Sequence, residues 1–151
     1  MGRNLILSLF IALFLISCSS VSLTPADFAW PVEIVASADK DGNVFDKRYS
    51  LSFNIKPLFY EEFADSLVSE GQEIRLIRNT GGFYFITAKD FKNVYVLLMG
   101  DGSLNSINKI LIDEDGISQP AFNQRNTYIE LLTGKQALRL TEDGIEEFGD
   151  D

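Results

Sequence analysis

Short segments with an apolar residue at every second position, separated by turns that contain glycine, account for most of the chain after Trp30. The clearest is residues 49–56 (YSLSFNIK), in which aromatic and aliphatic residues alternate with polar ones. A period of two indicates a half-buried β-strand, because successive side chains of a strand point to opposite faces. The preceding residues 39–43 (DKDGN) are rich in types that tolerate a positive φ and favour turns. The chain is therefore predicted to be mainly β.

About eight such segments recur at intervals of about ten residues, with turn residues between them. This spacing predicts an antiparallel meander that folds into a sandwich or curls into a barrel. Short connections favour pairing in chain order. One segment, 94–99 (VYVLLM), is apolar throughout, as expected of a strand covered on both faces. The predicted strands are residues 32–37, 49–56, 73–78, 83–87, 94–99, 106–112, 127–133 and 136–141.

One segment has a helical period instead. Phe59, Phe63 and Leu67 are spaced by four residues, which places them on one side of an α-helix. Pro57 suits the first helical turn and Gly71 suits the residue that ends a helix. The sequence predicts one short amphipathic helix over about 57–70, at one open end of the sheet.

The first twenty residues follow neither pattern. A short start that contains Arg3 precedes Leu5–Ile16, a run in which only Ser8 is polar. A bilayer core needs about 20 apolar residues to be spanned, so this run is too short for a stable span. It has the length of the apolar region of a secretory signal, and the single cysteine, Cys18, follows it almost directly.

The quartet Leu15-Ile16-Ser17-Cys18 resembles the lipobox of bacterial lipoproteins: an aliphatic residue, a tolerant position, a small residue and cysteine. The resemblance implies that a signal peptidase recognises Leu15, Ile16 and Ser17 and cleaves before Cys18. It also implies a diacylglycerol on the Cys18 thiol and a further acyl chain, such as palmitate, on the new amine. Two or more chains hold a protein stably on a membrane. A plain signal peptide with an incidental cysteine, or an uncleaved anchor, is the alternative.

This resemblance sets the predicted organisation of the chain. Residues 1–17 are a cleaved signal peptide, 18–27 a lipidated tether, 28–148 a single β-rich domain, and 149–151 an acidic, frayed tail. Such a domain is long enough for one core. In enterobacterial lipoproteins, a residue other than aspartate after the cysteine goes with export to the outer membrane. Ser19 therefore implies a lipid-anchored location in the cell envelope, at the outer rather than the inner membrane if the source is Gram-negative.

The charge of the chain limits its partners. The formal net charge is −9, which argues against nucleic acid as a partner and against a basic patch that binds anionic lipid. Membrane contact is expected through the N-terminal lipid instead. A single cysteine also allows no internal disulfide, so an exported domain has to be stabilised by packing alone.

Residue types exclude several kinds of chemistry. Histidine is absent and the one cysteine is committed to lipid, which excludes Ser-His-Asp and Cys-His catalysis and Cys/His zinc sites. The acidic turns 39–43 and 113–116 lack the spacing of a calcium loop, because glycine comes too early. Ser106 and Lys109 match a Ser-x-x-Lys motif, but a strand would hold them about 10 Å apart on opposite faces. We expect no metal, no cofactor and no catalysis.

Aromatic residues offer one possible ligand surface. Tyr84, Tyr95 and Phe91 would form a stacking platform for a sugar or peptide if their rings faced solvent together. Burial in a sheet covered on both faces is the simpler interpretation of the same residues.

The predicted function is that of a membrane-tethered envelope lipoprotein with a non-catalytic binding or structural role, whose partner is an envelope protein, a peptide or a glycan. One alternative is an accessory subunit of an envelope assembly that joins its partner through a strand edge. Another is an envelope glycan hydrolase that uses two carboxylates. The acids available for such a pair include several aspartates and the glutamates Glu61, Glu62, Glu70, Glu73 and Glu130.

Overall fold

The computed structural model describes residues 29–67 and 70–146. Within these ranges the chain forms eleven strands and one helix, so the prediction of a mainly β fold with one short helix is confirmed. The predicted signal peptide, the lipidated tether and the tail 149–151 lie outside the described residues. The elements are β1 Ile34–Ser37, β2 Asn43–Asp46, β3 Leu51–Asn54, α1 Lys56–Phe63, β4 Glu73–Arg78, β5 Phe83–Ala88, β6 Asn93–Gly100, β7 Ser103–Leu111, β8 Ala121–Gln124, β9 Ile129–Leu132, β10 Ala137–Thr141 and β11 Gly144–Glu146.

The described strands form three antiparallel sheets. A five-stranded sheet has the order β1-β4-β5-β6-β7, a four-stranded sheet has the order β11-β10-β9-β8, and β2 and β3 form a two-stranded sheet. Neighbours pair in chain order as predicted, except that β1 pairs with β4 across the segment that contains β2, β3 and α1. Each sheet ends in edge strands, so the described sheets are not closed into a barrel.

Three strands, β2, β8 and β11, are absent from the eight predicted ones. Each has only three or four residues, which is too short to establish a period of two. β8 also begins directly after Pro120, a residue that favours loops in the sequence. Pairing with a neighbour forms each strand: β2 with β3, β8 with β9, and β11 with β10.

The five-stranded sheet is the middle layer of the domain. On one of its faces, Ile86 of β5 lines a small cavity together with Leu58 of α1 and Phe53 of β3, so the helix and the β2–β3 hairpin cover this face. On the other face, Arg75 of β4 lines a larger cleft with residues of β8 and β9, so the four-stranded sheet covers that side. One cluster of buried apolar residues contains members from all three sheets and from α1.

Burial on both faces explains the apolar sequence of β6 only in part. Residues 94–97 are buried, as predicted for a covered strand, whereas Leu98 and Met99 are exposed. The covering layers therefore end before the β6–β7 turn. That turn has the two-residue form that joins antiparallel strands, because Asp101 (φ 48°) and Gly102 (φ 77°) both have left-handed backbone.

Helix α1 is shorter than predicted. It begins at Lys56, with Pro57 in its first turn as expected, and ends after eight residues at Phe63. Ala64 adopts a left-handed conformation (φ 55°) and donates its N–H to the Tyr60 carbonyl, which closes the helix. The four-residue spacing continues to Leu67, but the side chain of Asp65 accepts the Leu67 N–H in a turn that competes with helix. The prediction of a helix to residue 70 was therefore wrong.

Gly116 holds the β7–β8 connection against the β5–β6 connection. Its φ is 92°, and a Cβ at this position would lie 2.8 Å from the carbonyl oxygen of Asp90. Substitution Gly116→Ala should lower the free energy of unfolding by about 2–4 kcal/mol, since it adds a backbone clash to an unfavourable left-handed conformation.

The matched control is Gly102→Ala, where φ is 77° but no atom lies within 4 Å of the new Cβ. It should cost about 1 kcal/mol, because only the backbone conformation is unfavourable. Urea denaturation of both variants measures the difference. Equal losses would contradict a close approach at Gly116.

Candidate functional site

The residues of the predicted lipidation site, Leu15, Ile16, Ser17 and Cys18, lie outside the described residues. Lipidation at Cys18 and cleavage before it therefore stay predictions from the sequence. The remaining candidates, which are aromatic, acidic or part of the Ser-x-x-Lys motif, all lie in the described part of the chain.

The aromatic candidates are buried. Phe91 and Tyr95 have no accessible surface, and Tyr84 has little. The ring of Phe91 lies 5.0 Å from that of Phe59, 5.7 Å from that of Phe63 and 6.1 Å from that of Tyr95, all with edge contacts. These rings hold α1 against the five-stranded sheet and offer no solvent-facing platform, as the core interpretation predicts.

The hydroxyl of Tyr95 is the polar group of this aromatic cluster. It is buried and makes no hydrogen bond of ordinary geometry with the described residues. Burial raises the pKa of Tyr95, and the nearby carboxylate of Glu62 raises it further. Glu62 in turn accepts the backbone N–H of Lys92 and the side-chain amide of Asn93, both at 2.8 Å. The carboxylate thus ties α1 to the start of β6.

The acidic turns use their carboxylates for local hydrogen bonds. Asp39 accepts the N–H groups of Asp41 and Asn43 at 2.9 and 2.8 Å, and Asp113 accepts the N–H of Asp115 at 2.9 Å. Such bonds build the turns themselves. Across residues 29–67 and 70–146, no three His, Cys, Asp or Glu side chains converge to hold a metal ion.

The glutamates considered for hydrolysis are dispersed. Glu61 pairs with Lys109 of β7 at 3.3 Å, and Glu130 pairs with Arg125 at 2.6 Å on the four-stranded sheet. Glu73 pairs with Arg75 on the middle sheet, and Glu70 precedes β4 at an exposed position. The neighbours Glu61 and Glu62 are each engaged with a different partner, so the described contacts place no two of these carboxylates across a common cleft.

The Ser-x-x-Lys motif lies on a strand, as predicted, but its geometry differs from the prediction. A β-bulge at Ile107 shifts the register, so that Ser106 pairs with Leu97 and Lys109 pairs with Tyr95. Leu97 and Tyr95 are two residues apart and share a face, so Ser106 and Lys109 share that face too. A lysine acts as a base when it is desolvated, whereas Lys109 is half-exposed and paired with Glu61. Lys109 therefore lacks the desolvation that would let a lysine act as a base.

A cleft with a volume of about 520 Å³ lies where the four-stranded sheet separates from the middle sheet. Charged side chains form one wall, and a loop with the ends of two strands forms the other. The lining residues are Glu73, Arg75 and Lys89 on the first wall, and Ser118, Gln119, Pro120, Ala121, Leu132 and Gly134 on the second. The sequence did not indicate this cleft, because its two walls are distant along the chain.

Hydrogen bonds fix the loop that forms the second wall. Ile117 donates its N–H to Phe91 at 2.8 Å and accepts the N–H of Asp90 at 2.9 Å, which joins the loop to the β5–β6 connection. Ser118 donates its hydroxyl to the Thr133 carbonyl at 3.3 Å, and Gln119 donates its N–H to the same carbonyl. The cleft is therefore preformed rather than dependent on a loop closing over a ligand.

An ion-pair network connects the two sheets behind the cleft. Arg75 donates to Glu33 at 2.7 Å and also to Glu73, while the second oxygen of Glu33 accepts the Phe122 N–H of β8 at 2.8 Å. Burial alone would lower the pKa of Arg75, but the hydrogen bonds and charges of Glu33 and Glu73 outweigh it and raise that pKa. The guanidinium stays charged at the base of the cleft.

Removal of this link should measurably weaken the domain. Glu33→Ala leaves Arg75 and the Phe122 N–H without their shared acceptor, and the Glu33 side chain is only 13% exposed. We expect a loss of about 1–3 kcal/mol in the free energy of unfolding. Glu73→Ala removes a carboxylate that is 53% exposed from the same guanidinium and should cost about 0–1 kcal/mol. Denaturant titration checks both; the reverse order would contradict the role of Glu33.

Acid should destabilise the domain through carboxyl groups whose pKa the fold lowers. The pKa of Asp39 is lowered mainly by hydrogen bonding with Asn43, that of Asp113 by a hydrogen bond from Lys135, and that of Glu130 by one from Asn123. As the pH falls past the ordinary pKa values of 4.5 for glutamate and 3.8 for aspartate, the unfolded chain takes up protons first.

The stability that these groups contribute is therefore complete at neutral pH and is lost as the pH approaches their lowered values. Urea midpoints at pH 7, 5 and 3 measure the effect, and Asp113→Asn should reduce the dependence on pH. A midpoint that is the same at pH 7 and pH 3 would contradict the prediction.

The fold and the cleft define a class: an antiparallel β-protein with a middle sheet covered on both faces and a preformed cleft, part charged and part apolar, at one end. No protein-family model, no curated protein and no solved structure matches the chain. Among the residues that the structure describes, no helix is long and apolar enough to span a membrane.

Proposed function

We propose that the chain is a lipid-anchored protein of a bacterial cell envelope and that its β-domain has a non-catalytic binding role. The lipobox-like quartet Leu15-Ile16-Ser17-Cys18 is the observation that carries the anchor. A short polar stretch follows it, which would hold the domain close to the membrane surface. Ser19 favours the outer membrane if the source is Gram-negative.

The cleft between the two sheets supports the binding role. Its volume of about 520 Å³ falls in the range of small-ligand and short-peptide sites. Its lining combines the charges of Arg75, Lys89 and Glu73 with the apolar surfaces of Pro120 and Leu132. None of the described residues that line it has an aromatic ring on which a sugar could stack, which favours a peptide over a glycan as its ligand.

Site-specific cross-linking from the cleft tests the binding role in the intact, membrane-bound protein. A photo-reactive amino acid at position 119, inside the cleft, should give one defined adduct with an envelope component. The control is the same amino acid at position 45, where the native Phe45 is 59% exposed on β2, beyond the opposite face of the middle sheet. Equal adducts from both positions, or none from position 119, would contradict a binding role for the cleft.

A second candidate function, the accessory subunit that joins an assembly through a strand edge, is favoured by β7. This strand has nine residues and lies at the edge of the five-stranded sheet, with most of its side chains exposed. A long exposed edge is a template for further pairing. The hydrolase alternative has no such supporting feature, because Glu61, Glu62, Glu73 and Glu130 each contact different partners.

A further inference from the structure

We propose that β7 pairs with β7 of a second copy of this chain, in antiparallel orientation, so that two five-stranded sheets become one of ten strands. The proposal goes beyond the lipid anchor and does not depend on it. It is based on two features: β7 is a long strand at the edge of a sheet, and its side chains are complementary to those of a symmetry-related copy of the same strand.

Among the described strands, β7 is the longest one at a sheet edge. The side chain of Asn108 already accepts the backbone N–H of Lys109 at 2.8 Å, so pairing at this residue requires that side chain to move. Isolated bridges close both ends of the β1 edge, since Val32 pairs with Asn123 and Ala38 pairs with Val44. The outer edge of β8 is occupied by Val32 and by the carboxylate of Glu33. β11 has only three residues. Exposed apolar side chains, Ile107 at 49% and Leu111 at 52%, lie along β7 itself.

The bulge restricts how β7 can pair with itself. The register with β6 places Leu104, Ser106, Lys109 and Leu111 on one face of the sheet, and places Asn105 and Ile110 on the other. Residues that lie opposite each other in an antiparallel ladder have their side chains on the same face. On the face that carries Lys109, the residues before the bulge have even numbers and those after it have odd numbers. Pairing through the middle of the strand must therefore place an even-numbered residue of one copy opposite an odd-numbered residue of the other.

One two-fold register meets this condition and also matches the chemistry of the side chains. It sets Leu104 opposite Leu111 and Ser106 opposite Lys109, so that apolar faces apolar and polar faces polar. The two copies of Lys109 lie about 7 Å apart along the strand, because the bulge reduces the span from Ser106 to Lys109 to two ladder positions. Each Lys109 also has its own Glu61 at 3.3 Å. A strand with this pattern is complementary to itself, which favours a second copy over an unrelated strand.

Paired cysteines test this register in the full-length protein in its membrane. In the double variant Leu104→Cys/Leu111→Cys, oxidation should give disulfide-linked dimers, because the two positions lie opposite each other between copies. Either cysteine alone should not cross-link, since the bulge leaves identical positions six ladder positions, or about 20 Å, apart. The matched control Ser103→Cys/Leu111→Cys moves one thiol to the opposite face and should also fail. The unsubstituted chain gives the background from Cys18, whether or not that thiol is acylated.

Leu111→Lys supplies a second readout that is independent of disulfides. The residue is half-exposed, so the monomer should keep its fold and its unfolding midpoint. Sedimentation of the detergent-solubilised chain should change from dimer to monomer, with a dissociation constant raised about tenfold or more. A monomeric parent chain, cross-linking of the control pair as readily as the predicted pair, or adducts with a different protein from both single variants would each overturn the proposal.

Discussion

Substitution of Phe91 by alanine should lower the free energy of unfolding by about 3–5 kcal/mol. The ring has no accessible surface and contacts Phe59, Phe63 and Tyr95, so its removal leaves a cavity between α1 and the middle sheet. Because the rings around it are held by the helix and by β6, the site cannot collapse to fill the space. Denaturant unfolding of the purified domain followed by circular dichroism measures the loss.

The control for this prediction is Phe45→Ala, which removes an aromatic ring that is 59% exposed. It should change stability by less than about 0.5–1 kcal/mol. The comparison also separates the two interpretations of the aromatic residues. A Phe91→Ala protein of unchanged stability would contradict the core role and return Phe91 to the possible ligand surface.

Substitution of Cys18 by serine should reduce incorporation of a labelled fatty acid to background and leave the chain at its full, uncleaved length. The thiol is the proposed attachment point of the diacylglycerol, and without it a cleavage that depends on lipid cannot proceed.

Ser19→Ala is the matched control for this substitution, since it alters the next residue and keeps the thiol. It should be labelled, processed and retained as the unsubstituted chain is. A Cys18→Ser protein that stays in the membrane and has the same length as the unsubstituted chain would favour an uncleaved anchor and contradict lipidation.

The strands were the most predictable part of the fold, because a period of two follows directly from side-chain geometry. Residues 73–78 were predicted as a strand with the bounds of β4, and the turn at 79–82 is a hairpin as expected. The short strand β8 was not predicted, because its neighbours and the bridge from Val32 create it. A strand of three or four residues is too short for a clear alternation of apolar and polar residues, so it forms only because neighbouring strands pair with it.

The end of the helix was missed for a local reason. The spacing of Phe59, Phe63 and Leu67 predicts a helix that continues to Leu67. The side chain of Asp65 stabilises a turn there instead, and the apolar spacing does not reveal this. The bulge at Ile107 was equally invisible in the sequence. It reverses which face Ser106 occupies relative to Lys109, so a single inserted residue overturned the predicted geometry of that motif.

The cleft could not be predicted from the sequence, because its parts come from distant segments. Glu33 and the Phe122 N–H that it accepts are 89 residues apart in the chain, and Arg75 lies between them. None of these residues belongs to a motif. In contrast, the lipidation site depends on four consecutive residues, which is why the sequence alone can propose it.

Mass spectrometry of the N-terminal peptide of the protein, isolated from the membrane of its own cell, tests lipidation at Cys18. We expect a peptide that begins at Cys18 and carries a diacylglycerol on the sulfur and an acyl chain on the amine. A peptide with an unmodified Cys18, or a mature chain that begins at a different residue, would contradict this expectation.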